Sequence, residues 1–320
     1  MVSAPQASKT ADTILSWQSK KGSWPKNVDT TDKPFTGNPE NLQGTFDNGA
    51  TTGEIRFLYH IYKATGNKKY YRGFVKGLNH ILEAQYPSGG WPQFYPPGND
   101  YHRHITFNDD VMINIMNLLK DITYNEDYKL AALRKRKAAK KAFRKGVDCI
   151  LECQVKVNGK LTVWCAQHDE ENFKPRKGRS YEPPSLSGAE SAGILKFLME
   201  IENPSPEIIK AVEAGIKWFK KSKVTGIKIV RNKKGNRVAI KDSNAPALWA
   251  RFYEIETNRP IFSDRDGVIT YDYNRISAER RNGYAWYGDW GKSALSKYEE
   301  WREGLNENLH NAATSNQARK

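Results

Sequence analysis

The chain has 320 residues, a net charge of +15, a mean hydropathy of −0.76 and 12% aromatic residues. That length suits one large domain or two small ones and can bury a sizeable core, and the aromatic content argues against disorder. No run of 18 apolar residues exists, which excludes a membrane-spanning helix, and Cys149, Cys153 and Cys165 are too few for a disulfide framework and read as buried thiols.

The opening residues "MVSAPQASKT" have no apolar core of the kind a signal peptide carries, and a trimmed mature form would look the same. Helical periodicity then dominates. Ile55, Leu58, Ile61 and Tyr62 form one stripe, and Tyr70, Phe74, Leu78, Ile81 and Leu82 form the next. Val111, Ile115, Leu118 and Ile122 pair with Phe143, Val147, Ile150 and Leu151. Between them, "LRKRKAAKKAFRKG" at 133–146 reads as a solvated helix face. A third pair carries Ala192, Leu195, Leu198 and Ile201, then Val212, Ile216 and Phe219. Polar stretches such as "ATGNKK" and "IENPSPE" join the members of a pair, so these are helical hairpins. "VTGIKIVRNKKGNRVAIKD" at 224–242 alternates apolar and polar residues around Lys-Gly-Asn and reads as a β-hairpin. "APALWARFYEI" reads as a short helix, and the tail from about 304 should fray. Helix should exceed half of the chain.

A repeat underlies these pairs. "ILSWQSKKGSWP" begins at Ile14, "ILEAQYPSGGWP" at Ile81 and "ILECQVKVNGKLTVW" at Ile150, with starts 67 and 69 residues apart. Each runs Ile-Leu-x-x-Gln, a turn, then Trp. Repeated hairpins must stack to bury their faces, and an array closed on itself is a toroid with loops on one rim. Trp24, Trp91 and Trp164 either lock the turn onto the helix ends or offer an indole to a sugar ring.

Acidic clusters precede helices at matching points of successive repeats: "GTFDNGATTGEI" with Asp47 and Asn48, and "ITFNDDVM" with Asn108, Asp109 and Asp110. Helix capping explains either alone. Two on one rim also suit a hard cation, because calcium takes oxygen ligands from carboxylates, amides and water. The third repeat differs: in "WCAQHDEENFKPRKGRSYEPPSLSGAES", His168, Lys177, Arg179, Tyr181 and Glu182 crowd one loop. Later, Arg259, Arg265, Arg280 and Arg281 stand among Tyr284, Trp286 and Tyr287. Arginine forks suit carboxylates, and aromatic rings suit sugar faces. The positive charge fits an acidic polysaccharide; nucleic acid would call for a reading motif, and none appears.

The motifs "TFDNGAT", "GGWPQFYP", "ITFNDD", "WCAQHD", "YEPPSLSG" and "RRNGYAWYG" resemble those of the pectate lyases of polysaccharide lyase family 10, over roughly residues 10–300. The resemblance implies an all-α incomplete (α/α) toroid of helical hairpins with a small β-hairpin, as a single catalytic domain over 1–320. It implies cleavage of polygalacturonate by calcium-dependent anti β-elimination. By motif, Asp47, Asn48 and Asp109 match its acidic sites, with Asp110 a further candidate calcium ligand. Arg179 looks like the catalytic base, and Arg265, Arg280 and Arg281 look like carboxylate clamps. Asn48, Trp91, His168, Lys177, Tyr181 and Tyr284 are candidate substrate contacts. Pectin is then the partner, with no nucleic acid or membrane involved, and a secreted monomer is expected.

The substrate's C5 proton is poorly acidic, and removing it builds negative charge on the neighbouring carboxylate. A cation and a guanidinium stabilise that charge. Free arginine has a pKa above about 12, so Arg179 acts as base only if burial, calcium and neighbouring cations lower its pKa or if the pH is high. His168 is the rival base near neutral pH. A non-catalytic pectin-binding module, or an inverting hydrolase using Asp47 and Asp109, is the competing reading.

Overall fold

The computed structural model describes residues 4–317, with side chains from 6 to 305. The chain divides into two compact units, Met1–Glu152 with Gln167–Lys174, and Cys153–Ala166 with Pro175–Lys320. About 47% is helical. That is just under the expected half, because long irregular stretches such as 17–51 and 153–189 carry the loops. No helix among the described residues is long and apolar enough to cross a membrane.

In the first unit, α2 (Thr52–Thr65), α3 (Lys68–Ala84), α4 (Val111–Tyr124) and α5 (Leu133–Glu152) appear where the periodicity places them, and α1 (Ala4–Ser16), which lies outside those stripes, precedes them. Gly66 adopts φ 68° after α2, and its N–H meets the Tyr62 carbonyl at 2.8 Å. Asn67 then accepts from Lys69 N and caps α3, so two residues turn the chain between antiparallel helices. Ile55, Leu58, Tyr70, Phe74, Leu78 and Ile81 are buried between them. In the second unit, α6 (Glu190–Leu198) packs on α7 (Pro206–Lys221), which starts with Pro206 behind a Ser205 cap. A short α8 (Ala278–Gly283) precedes α9 (Trp290–Gln317), which packs on α6 and α7. α9 runs on through the stretch from 304 as far as Gln317. The three cysteines are buried and free.

The repeat has a physical meaning. Gln18 Nε2 donates to the carbonyls of Gly22 in its own turn and Gly73 in α3, at 3.1 and 3.0 Å. Gln85 does the same to Gly89 and Ala142, and Gln154 to Thr162 and Ala211, all at 2.9 Å. Each carboxamide therefore ties a turn to the second helix of the next hairpin. Four residues beyond each helical carbonyl stand Gly77, Gly146 and Gly215. A Cβ there would lie 2.5 Å from Ile55, 2.2 Å from Met116 and 2.7 Å from Leu195, so close helix approach demands glycine.

The hairpin at 224–242 forms as expected: Ile227–Arg231 pairs antiparallel with Arg237–Lys241 around Gly235 at φ 75°. The remaining strands are two-residue pairs. "APALWARFYEI" is not a helix. Trp249–Ala250 pairs with Tyr287–Gly288, and Phe252–Tyr253 pairs with Leu186–Ser187. All four of these residues, Trp249, Ala250, Phe252 and Tyr253, are buried, so non-local strand pairing overrides local helix propensity.

Of the two readings of Trp91, the turn lock holds and the substrate contact does not. Its indole has 0% exposure, and Nε1 donates to the Ile81 carbonyl at 2.8 Å. Trp24 repeats this with Ile14 at 2.7 Å, and Trp164 is equally buried. No face of Trp91 is presented to a sugar; the indoles lock turns to helix ends. Trp91→Ala should therefore cost about 3–5 kcal/mol of stability, read as a lower urea midpoint. If the ring were a sugar platform, oligosaccharide affinity would fall instead, with little change in that midpoint.

Candidate active site

Two acidic turns meet in the first unit. Asp47–Gly49 and Asn108–Asp110 are single 3₁₀ turns that pack against each other. Neither supplies a side-chain cap: the N-cap positions of α2 and α4 are Thr51 and Asp110, and neither makes a side-chain cap bond. Asn48, Thr51, Asp109 and Asp110 all hold positive φ, at 53°, 69°, 52° and 57°. For a β-branched residue such as Thr51 this costs about 1–3 kcal/mol, and such strain persists only where the surroundings impose it. They do: Thr51 Oγ1 accepts from Trp24 N at 2.9 Å and donates to the Thr45 carbonyl at 2.8 Å.

Asp47 is 2% exposed and pairs through Oδ2 with Lys26 Nζ. Its Oδ1 is buried without a hydrogen-bond partner. Asn108 Nδ2 donates to Asp109 Oδ2 at 2.6 Å, while Asn48 and Asp110 are exposed. The oxygens gathered here are carboxylate and amide oxygens, the set a hard cation could take, and the orphaned Asp47 oxygen leaves an acceptor unsatisfied. A separate group, His104, Asp169 and Glu170, brings its ligand-type atoms within 4.8 Å of one another. There, Glu170 is bound by Arg103 at 2.6 Å and His104 at 3.0 Å, which reads as an ion-pair network.

His168 presents no exposed surface. It is fully buried, Nδ1 sits 2.7 Å from the Phe173 carbonyl, and the ring packs edge-on against Phe107. Its place in a strand pair with Ile105 makes it a loop-orienting residue.

The second unit gathers guanidinium groups around two tyrosines. Arg179 lies 5.2 Å from the Tyr181 ring and 5.4 Å from Tyr284. Arg251 lies 4.8 Å from Tyr284, and Arg280 and Arg265 lie 4.5 and 5.9 Å from Tyr181. Each cation has a carboxylate. Arg179 Nε and Nη2 donate to Glu182 Oε1 at 2.9 and 2.6 Å, and Tyr284 Oη donates to the same oxygen at 2.7 Å. Arg251 pairs with Glu190, and Arg265 and Arg280 share Glu279. Arg265 and Arg179 are the accessible members, at 66% and 39%, against 5% for Arg280. Exposed Lys177 brings its ammonium to the Gly267 turn beside Arg265.

Electrostatics in this cluster run against one expectation. Burial pulls the Arg179 pKa down, but hydrogen bonds and charge from Glu182 outweigh it, and the net shift is upward. Burial likewise pushes the Glu182 carboxyl up, and Arg179 reverses it to below the ordinary range. Burial raises the Tyr284 hydroxyl well above its ordinary value. So the environment holds Arg179 protonated as it stands.

Arg281 is not a clamp. Its Nε donates to the Arg237 carbonyl at 2.7 Å, and Nη1 donates to the carbonyls of Asn274 and Ile276. Of the pair, Arg280 is the member of the tyrosine cluster. Sequence reasoning missed Lys26 and Arg251. A lone arginine inside the buried aromatic run "WARFY" was the available signal for Arg251. For Lys26 only its position two residues after Trp24 pointed anywhere.

The profile of the pectic acid lyase family matches residues 18–295. Among solved structures, the chain is similar to a family 10 polysaccharide lyase from Cellvibrio cellulosa. Identity is 40%, the TM-score is 0.84, and coverage is 92% of this chain and 91% of that one. It is also similar to a point mutant of a Cellvibrio cellulosa family 10 polysaccharide lyase in complex with trigalacturonic acid. There identity is 38% and the TM-score 0.84, covering 94% of this chain and 99% of that one. No curated protein sequence matches the chain.

Hydrogen bonds from Arg280 and Arg265 lower the Glu279 carboxyl to about 2. A depressed carboxyl stabilises the fold above its unfolded pKa, about 4.3, and loses that contribution as pH falls through the folded value. Glu279→Gln should therefore melt below wild type at pH 7, and the gap should close as the pH falls to about 2. Thermal unfolding followed by circular dichroism reads this, and a pH-independent gap would rule the pairing out as its cause.

Proposed function

The chain belongs to polysaccharide lyase family 10, the pectic acid lyases, and on that premise we propose that it cleaves polygalacturonate by calcium-dependent anti β-elimination with Arg179 as base. The observation that carries the reading is the partly exposed guanidinium cluster of Arg179, Arg265, Arg280 and Arg251 on Tyr181 and Tyr284. A uronate presents a carboxylate on every sugar, and fixed guanidinium forks bind it bidentately. The incomplete toroid, secretion and a monomeric state implied by the resemblance belong to the same proposal.

Asp47, Asn48, Asp109 and Asp110 would hold the calcium. Bound there, calcium would supply positive charge against the carboxylate on which charge builds during proton abstraction. Arg265 and Lys177 orient the polymer through its carboxylates. Tyr181 and Tyr284 hold the guanidinium groups in place from their ring faces. Arg179 takes the C5 proton, and it does so only as the neutral species. Glu182 opposes this by holding its proton. Turnover should then climb with pH without levelling near neutrality, as it would for a histidine base.

Product absorbance with polygalacturonate, with and without a chelator, tests the reaction class: elimination leaves a conjugated unsaturated end, and hydrolysis leaves none. Arg179→Ala should lose all but a few per cent of turnover while oligogalacturonate binding survives, and Arg179→Lys should not restore it. Glu182→Gln removes the group that raises the Arg179 pKa, so its alkaline limb should move to lower pH by about one unit or more. An unshifted limb would assign Arg179 to charge stabilisation alone.

A further inference from the structure

Asp47 lies in an unusual state for a carboxylate that is 2% exposed. One oxygen has an ammonium on it, and the other has nothing. A buried carboxylate left wholly without a counter-charge would destabilise the folded chain. Lys26 supplies that charge, yet satisfies only half of the group. The lysine side chain is 29% exposed, so it keeps a route to water. Its ammonium also stands 5.9 Å from the Phe94 ring centroid, which offers a second resting place over an aromatic face. Phe94 in turn borders a cleft of about 390 Å³ lined by Lys21, Gln43 and Tyr95.

We propose that Lys26 is the resident counter-cation of Asp47, holding the acidic turn in shape until a divalent cation takes the carboxylate and displaces the ammonium. The inference rests on the calcium reading above and goes beyond it in giving Lys26 a role. Two cations cannot share the Asp47 carboxylate at contact distance without repulsion. A divalent ion with several oxygen ligands satisfies both Asp47 oxygens, which Lys26 does not. Metal affinity is therefore reduced by the work of evicting the lysine. In exchange, Lys26 braces the turn at Asp47–Gly49, where Asn48 holds positive φ, ahead of any metal.

The test reads metal binding and unfolding, with no substrate present. In calorimetric titrations with calcium, K26M should bind at least about five-fold more tightly than wild type, and K26R should stay near wild type. K21M removes the same charge from the neighbouring cleft without touching Asp47, and should change affinity less than about two-fold. Without calcium, K26M should melt several degrees below wild type; with saturating calcium the two should coincide. Equal affinity gains in K26M and K21M would overturn the proposal, because general charge would explain both. An unchanged melting point of metal-free K26M would also overturn it. If K26M folds only with calcium while K26R folds without it, the proposal is supported. If K26M stays unfolded even with calcium, the metal does not replace the lysine and the proposal fails. Absence of calcium binding in wild type and variants alike would sink the calcium reading and this inference with it. Wild-type binding unaltered by K26M would sink only this one.

Discussion

Three glutamine carboxamides hold the functional loops of this protein in place. A helix that ends in a tight turn leaves carbonyls with no partner inside the element. Gln18, Gln85 and Gln154 stand just past such helix ends, and each donates to a carbonyl of its own turn and to a second carbonyl on the following hairpin. The indole that comes next is thereby held under the helix end, and its own backbone becomes a fixed edge. Thr45 N donates to the Trp24 carbonyl and Thr106 N to that of Trp91, at 3.0 and 3.1 Å. These bonds sit two residues ahead of Asp47 and Asn108, so the acidic turns inherit their positions from the clamp. In the third repeat Ser187 N donates to the Trp164 carbonyl at 2.7 Å, and Ser191 Oγ takes the part of Thr51 by accepting from Trp164 N. Between those two serines stands Glu190, which positions Arg251. One scaffold thus carries acidic turns in two repeats and the carboxylate that anchors an arginine in the third.

Much of this fold was legible because helix periodicity and turn chemistry are local. The stripes of α2 to α7 and the Gly66–Asn67 and Ser205–Pro206 punctuation need no tertiary information. The Ile-Leu-x-x-Gln repeat was visible too, though the role of its glutamine was not, since its second acceptor lies some 55 residues on. Gly77, Gly146 and Gly215 recur every 69 residues and were equally available in the sequence. "APALWARFYEI" failed for the opposite reason. Its strand partners, Leu186–Ser187 and Tyr287–Gly288, are far away in sequence, and only their pairing makes the segment extended.

The site was legible by residue type and poorly legible by exposure. Trp91 and His168 are the right chemistry for sugar contact and are both buried. Arg280 and Arg281 are adjacent and chemically alike, but successive helical residues point about 100° apart. That rotation sends one to Tyr181 and the other to three backbone carbonyls. Composition also cannot say which carboxylates neutralise which cations, and that is where Glu182, Glu190 and Glu279 matter.

Those three carboxylates explain how four guanidinium groups tolerate one another. Arg179, Arg251, Arg265 and Arg280 share Glu182, Glu190 and Glu279, so the cluster keeps a single net positive charge. Four unpaired cations at this spacing would repel strongly in a half-buried setting. Full neutralisation, in contrast, would leave nothing to attract a polyanion. The compromise is graded by burial. Arg251 is enclosed together with Glu190, whereas Arg280 is enclosed and its partner Glu279 lies at the surface; truncating either carboxylate would strand a buried guanidinium. Arg265 is mostly exposed and only half owns Glu279, so an incoming carboxylate can join it without breaking a buried pair. Arg179 is intermediate: its guanidinium is tied to Glu182 on one side and open on the other. The same carboxylate that positions Arg179 also holds its proton in place. Geometric restraint and a firmly protonated guanidinium therefore come from one partner, and loosening either means changing Glu182.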